Sequence, residues 1–251
     1  MTTTGTAAFN LDVNDLIEEA FERCGKELRT GYDFRTARRS LNLLTIEWAN
    51  RGINLWTIEQ GQINLYPYQS IYALPIDTID LLDQVTRTGV GQNQQDINIT
   101  RISSSTYLSI PNKNATGRPI QVWINRQSGA TYPVGGQPEG TDPDTGVDHP
   151  TINVWPCPDQ DNYYTFVYWR LRRIQDAGNG VNTQDIPFRF YEALTAGLAY
   201  YLAQKQPEID LNRLQMLKAS YDESFQLARD EDRDKAPVRF VPMAGYLGGG
   251  W

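Results

Sequence analysis

Nucleophilic catalysis needs a base beside the nucleophile, and that base is most often histidine. This chain has one histidine, His149, placed before Pro150 in a stretch dense in Gly, Pro and Asp. Alone in such a stretch, it reads as structural or incidental. The two cysteines stand far apart, Cys24 on an apolar helical face and Cys157 between Pro156 and Pro158. They read as free, buried or half-buried thiols rather than a disulfide framework, which favours a reducing, intracellular site of synthesis. No Cys/His set has metal-ligand spacing. The triple glycine Gly248–Gly250 lacks the strand-to-helix setting of a phosphate loop.

The segment Asp142–Asp148, DPDTGVD, places three carboxylates along a turn in the manner of a calcium loop. Pro143 stiffens its second position, and Gly146 comes one place early. Asn153 stands where an EF-hand has its bidentate Glu. The segment therefore reads as something other than a calcium site. Paired carboxylates are the machinery of glycosidic hydrolysis, but no pair among the 30 acidic residues is marked out by position. The expectation is no catalytic residue, no metal and no cofactor.

The elements that would position any site begin with helices. Asp12 is a natural cap, and Val13, Leu16, Ile17, Ala20, Phe21 and Cys24 form an amphipathic stripe that Gly25 stops. A second helix is predicted after Asp33, with Phe34, Ala37, Leu41, Leu44 and Trp48 inward and Gly52 as its end. Arg35, Arg38 and Arg39 fall on its outer face, either solvated or paired with an acidic neighbouring subunit. Pro187–Gln206 is the most apolar long segment, with Asp185 as a cap and Pro207 as the stop. Its stripe is Tyr191, Leu194, Leu198 and Leu202. Ala193, Ala196, Gly197, Ala199 and Ala203 are small, so another helix can approach closely. A helix apolar nearly all round belongs at the centre of a packing unit. A fourth helix is predicted from about Glu208 to Arg233, with Leu211, Leu214, Leu217, Tyr221, Phe225 and Ala228 inward and its charged end in water.

Between Gly52 and Pro187 the period changes to two. Short runs rich in Val, Ile, Thr, Tyr and Trp occur at 53–57, 62–66, 71–74, 79–86, 97–102, 120–125, 152–155 and 163–171. They read as an antiparallel β-unit. Gly89–Asp96 and the long Gln127–Pro150 are breaks, the second an exposed, mobile loop. Tyr168 and Trp169 must lie on opposite strand faces, so one packs inward. The fold expected is α+β: a four-helix bundle-like unit with an antiparallel β insertion between helices 2 and 3 and an extended C-terminal tail. The boundaries are a flexible 1–9, helical 10–52 and 187–235, β-rich 53–186, and a tail at 236–251.

Composition sets outer limits. The chain has 251 residues, 40% hydrophobic and 21% charged, as in an ordinary globular protein. The N-terminal MTTTGTAA lacks the basic and apolar regions of a secretory signal. No stretch has the apolar length of a membrane span, so no membrane partner is expected. A net charge of -7 argues against a nucleic-acid grip, which needs clustered Lys and Arg.

Three segments, in order, resemble the head-to-tail connector, or adaptor, proteins of short-tailed bacteriophages. They are Thr100–Gln127 (TRISSSTYLSIPNKNATGRPIQVWINRQ), Ile152–Asp176 (INVWPCPDQDNYYTFVYWRLRRIQD) and Ile186–Ala203 (IPFRFYEALTAGLAYYLA). The family shows a similar Ser-rich turn, an Ile-Pro-x-Lys and a Gly-x-Pro opening a strand. A strand running into Pro-x-Pro-Asp follows, then an aromatic strand and a third helix. The resemblance covers roughly residues 10–235. It implies a homo-oligomeric ring, usually dodecameric, at the head–tail junction of the virion, assembled in the host cytoplasm. The ring would sit between a portal protein and a tail nozzle or tail tube protein, and double-stranded DNA would pass non-specifically through it. It implies too that the tail docks on the portal. Val238, Phe240, Val241, Tyr246, Leu247 and Trp251 are apolar groups on a chain with no local core. Val238 and Phe240 alternate as a strand added to a partner's edge would, and Trp251 on its glycine tether suits an anchor. Two other readings stay open. One is a tail-associated glycan-binding or cell-wall-hydrolysing protein; the other is a neck or tail-completion protein of another tailed phage.

Overall fold

The computed structural model describes residues 3–6, 9–126 and 150–233. Four long helices build one core. They are α1 (Val13–Cys24), α2 (Gly31–Asn50), α4 (Tyr191–Ala203) and α5 (Leu211–Glu231). Helix α4 packs against α1, α2 and α5, which matches its nearly uniform burial. Gly197 is needed there. A Cβ at that position would lie 2.8 Å from the Tyr221 ring of α5 and 2.9 Å from Leu44 of α2. Trp48 and Phe190 fill the centre, their rings edge to face at 6.5 Å.

Helix ends follow local chemistry. Asp12 Oδ1 accepts from the Asp15 amide at 2.8 Å, and Gly25 ends α1 at φ 78°. Helix α2 begins earlier than expected. Thr30 is its cap, and Asp33 stands three residues in, closing a reciprocal capping box. Asp185 does not cap α4. A 3-10 turn at Phe188–Phe190 leads into that helix, and the Asp185 carboxylate is engaged elsewhere. The last turn of α5 is not all in water either. Asp232 accepts from the Asn54 amide at 2.8 Å and the Leu55 amide at 3.2 Å. Leu211, expected inward, is 64% exposed.

The strands are β1 (Ile58–Leu65), β2 (Ile71–Ala73), β3 (Thr78–Thr88), β4 (Gln95–Asn98), β5 (Thr100–Arg101), β6 (Gln121–Asn125), β7 (Thr151–Trp155) and β8 (Tyr164–Arg172). They form two four-stranded sheets, ordered β1-β8-β3-β4 and β2-β7-β6-β5. A second apolar cluster draws on both sheets, from Leu65, Leu81 and Phe166 to Val122, Ile152 and Val154. The sheets therefore share a core of their own.

This overturns the expected plan of a four-helix unit carrying a β insertion. The sheets are a body of the fold, and a fifth helix, the short α3 (Ser104–Leu108), lies between β5 and β6. Period-two alternation locates strands one at a time; it does not say that eight of them divide into two sheets facing each other. The β-unit is not purely antiparallel either, since β5 pairs with β6 in parallel. Strand β6 is interior, between β7 and β5, rather than an edge. The 53–57 run is no strand. It is the 3-10 turn Leu55–Thr57, held as Thr57 donates from its amide and its hydroxyl to Asn54 O, and Ile53 is buried in the helical core.

Candidate assembly surfaces

The six tail residues named as a docking site, Val238, Phe240, Val241, Tyr246, Leu247 and Trp251, lie outside the described residues. So do His149 and Asp142–Asp148. Both cysteines are free and buried. Cys24 Sγ donates to Ala199 O at 3.0 Å, and burial pushes its pKa up to about 11. Among the described residues no group of three His, Cys, Asp or Glu is placed to hold a metal ion. No described helix is long and apolar enough to cross a membrane.

What the structure does bring together is charge. At the junction of the two cores, Arg170 and Arg172 project from β8. Arg170 meets Asp77 and Glu59; Arg172 meets Glu59 and Asp185. Burial opposes the Arg170 charge, but Asp77 and Glu59 outweigh it and its pKa is raised. The Asp185 carboxylate also accepts from the Gln175 amide at 3.0 Å. This network is internally satisfied and ties sheet to helical core.

Two outer faces each carry unpaired charge of one sign among the described residues. The first belongs to α2. After Gly31, its exposed positions are Tyr32, Arg35, Arg39, Leu43, Ile46 and Asn50, spaced three and four apart. Leu43 is 50% exposed and Ile46 45%. Arg35 and Arg39, with half-buried Arg38 beside them, meet no carboxylate among the described residues. Lys205 reinforces the positive field. Its Nζ donates to Ser40 Oγ at 2.6 Å, and its pKa is lowered by burial and then by Arg39.

The second face is a groove of about 550 Å³ between α1 and the start of α4. Arg23 lies within it but is already neutralised. Its guanidinium donates to both Glu192 oxygens (2.7 and 2.9 Å), and its Nε donates to Glu19 at 2.8 Å. Glu192 accordingly has a lowered pKa, with Arg23 as the cause. Asp15, Glu18 and Glu22 remain exposed along α1, with no cation on their carboxylates among the described residues. Phe9 and Phe188, 76% and 73% exposed, flank this acidic stripe.

The basic stripe was legible from spacing. The acidic one was missed, although Asp15, Glu18 and Glu22 at intervals of three and four, opposite the buried stripe, carried the same signal. In the β-unit, Tyr168 packs inward and Trp169 stays 46% exposed, as the alternation requires. Trp169 pairs with Gln60 of β1 and Asp83 of β3 on the open face.

Fold and surfaces together define an α+β protein with a helical core, a two-sheet core and two oppositely charged helical faces. No protein-family model matches the chain, and no curated protein matches its sequence.

Proposed function

We propose that the chain is a non-enzymatic structural adaptor of a short-tailed phage, a ring subunit that sits beneath the portal and joins it to the tail. The observation that carries this reading is the outside of the helical half. Leu43 and Ile46 on α2, Leu211, Met216 and Leu227 on α5, and Phe188 before α4 are all large and apolar, and all are 45 to 73% exposed. Helices that bury one face and leave apolar groups on another suit a subunit packed between neighbours. The segments that resemble the adaptor family fall on β5–α3–β6, on β7–β8 and on α4, so the resemblance runs through both cores. The aromatic, glycine-tethered 236–251 segment is the portal-docking element of this proposal, with Val238, Phe240 and Trp251 as its anchors.

The test is to mix the full chain, and a chain lacking 236–251, with purified portal protein and size the products. The full chain is expected to co-elute with portal as a ring. The truncated chain is expected to keep its circular dichroism and unfolding midpoint but to lose portal binding. A truncated chain that binds portal as the full chain does would remove the docking role.

A further inference from the structure

The two faces are opposite in charge, both carry large apolar groups, and they belong to different helices. From this we infer that they bind each other between copies. The basic outer face of α2 on one copy seats in the acidic α1/α4 groove of the next. This rests on the ring part of the proposed function and adds the surfaces that would build it.

Three guanidinium groups, Arg35, Arg38 and Arg39, face three carboxylates, Asp15, Glu18 and Glu22. Neither set has a partner within its own chain among the described residues. Other arginines of the fold, by contrast, are paired: Arg23, Arg87, Arg101, Arg170 and Arg172 each hold a carboxylate. Internal pairing is thus common in this chain, and among the described residues these two faces each carry unpaired charge of a single sign. Each charged stripe also carries large apolar side chains. Leu43 and Ile46 lie on α2, and Phe9 and Phe188 beside the groove. Apolar contact supplies affinity, and the matched charges set register and partner choice. Arg35 to Ile46 spans eleven helical residues, about 16 Å, and Asp15 to Glu22 spans seven, about 10 Å. The basic face is therefore long enough to cover the acidic stripe and still place its apolar end against the groove's phenylalanines.

A contact between two different patches of identical chains is heterologous. Each copy that docks one face leaves the other free, so the contact propagates and closes into a ring where the rotation allows. An isologous dimer through the α2 face alone would instead place arginines on arginines.

Sedimentation and native mass measurements on the full chain test this with two charge reversals, R35E/R39E and E18K/E22K. The parent is expected to self-associate with concentration, less so as salt rises. Each reversal alone puts like charges on both faces, so self-association is expected to weaken by about 100-fold. In an equimolar mixture each reversed face meets a complementary one, so the mixture is expected to recover association with the two variants alternating. Circular dichroism checks that both variants are folded. A parent that stays monomeric at every concentration and with portal present overturns the inference. So do reversed variants that associate like the parent, or a mixture that fails to recover. Portal docking is read separately. The chain lacking 236–251 keeps self-association here, so losing one property while keeping the other shows which reading has failed.

Discussion

Glu47 of α2 gathers two phenols, buried Tyr221 and half-buried Tyr201. Its carboxylate accepts from Tyr201 of α4 at 2.7 Å and from Tyr221 of α5 at 3.2 Å, and it pairs with Arg51 one turn on. Trp48 Nε1 donates to the same Tyr221 oxygen at 3.1 Å. Ionising either phenol would place a second anion beside Glu47 in a half-dry site. Burial first and Glu47 second push the Tyr201 pKa up to about 12 from its ordinary 10.0, and Tyr221 is raised as well, chiefly by burial. The sign follows from proton binding. Above pH 10 the unfolded chain releases phenolic protons that the folded chain keeps, so stability falls as pH rises. Urea unfolding is expected to give a midpoint that begins to fall from about pH 9, because the folded chain keeps the Cys24 proton up to about pH 11, and that falls further between about pH 10 and about pH 12, the interval that Tyr201 sets. Tyr201→Phe should make that decline shallower. A profile identical to the parent's would mean that Tyr201 ionises freely.

At the scale of elements, what the sequence made legible was whatever depends on neighbours along the chain. Asp12 and Gly25 bound α1 because capping is local chemistry, and β8 lies where aromatic and β-branched residues alternate. Placements that depend on distant residues were not legible. Asp185 looks like a cap before Pro187, but Arg172 from β8 claims its carboxylate. Ile53–Thr57 alternates like a strand, but Asp232 at the end of α5 takes its amides and turns it. The two-sheet arrangement was hidden for the same reason: β1 pairs with β8 across more than a hundred residues. Of the candidate site, both charged stripes are visible as spacings of three and four, but which neighbour they meet is not, because that depends on another chain. The junction gives a test at this scale. Arg172 is 10% exposed and holds both Glu59 and Asp185, so Arg172→Ala leaves Glu59 to Arg170 alone and Asp185 to the Gln175 amide. Stranding a buried charge costs about 3 kcal/mol, and because Glu59 is 43% exposed and both carboxylates keep a partner, about 1–2 kcal/mol is expected here. Urea unfolding should show a loss of that order. A variant as stable as the parent would mean that the strut between sheet and helices contributes little.

The whole molecule carries a net charge of -7, and the proposed contact changes how that charge is displayed. Pairing Arg35, Arg38 and Arg39 with Asp15, Glu18 and Glu22 removes three cations and three anions from the surface and leaves the net charge unchanged. Much of the free basic surface is spent between subunits, and what remains exposed is richer in carboxylates. The ion pairs already inside the chain have the same effect, because Arg170 and Arg172 are turned inward. Duplex DNA binds by trading condensed counterions for Lys and Arg, so a wall poor in free cations offers it little. A conduit must let DNA pass without holding it, and under the proposed function the acidic balance serves that purpose. The assembled ring is therefore expected not to retard a short duplex in a native gel even at low salt, where any electrostatic grip would be strongest. The equimolar mixture of R35E/R39E and E18K/E22K, which is expected to reassemble, should give the same result, because those side chains face a neighbour rather than the channel. Salt-sensitive retardation by the parent ring would sink the conduit argument, and R35E/R39E that still assembled as the parent does but no longer retarded the duplex would place the arginines toward the DNA and sink the contact as well.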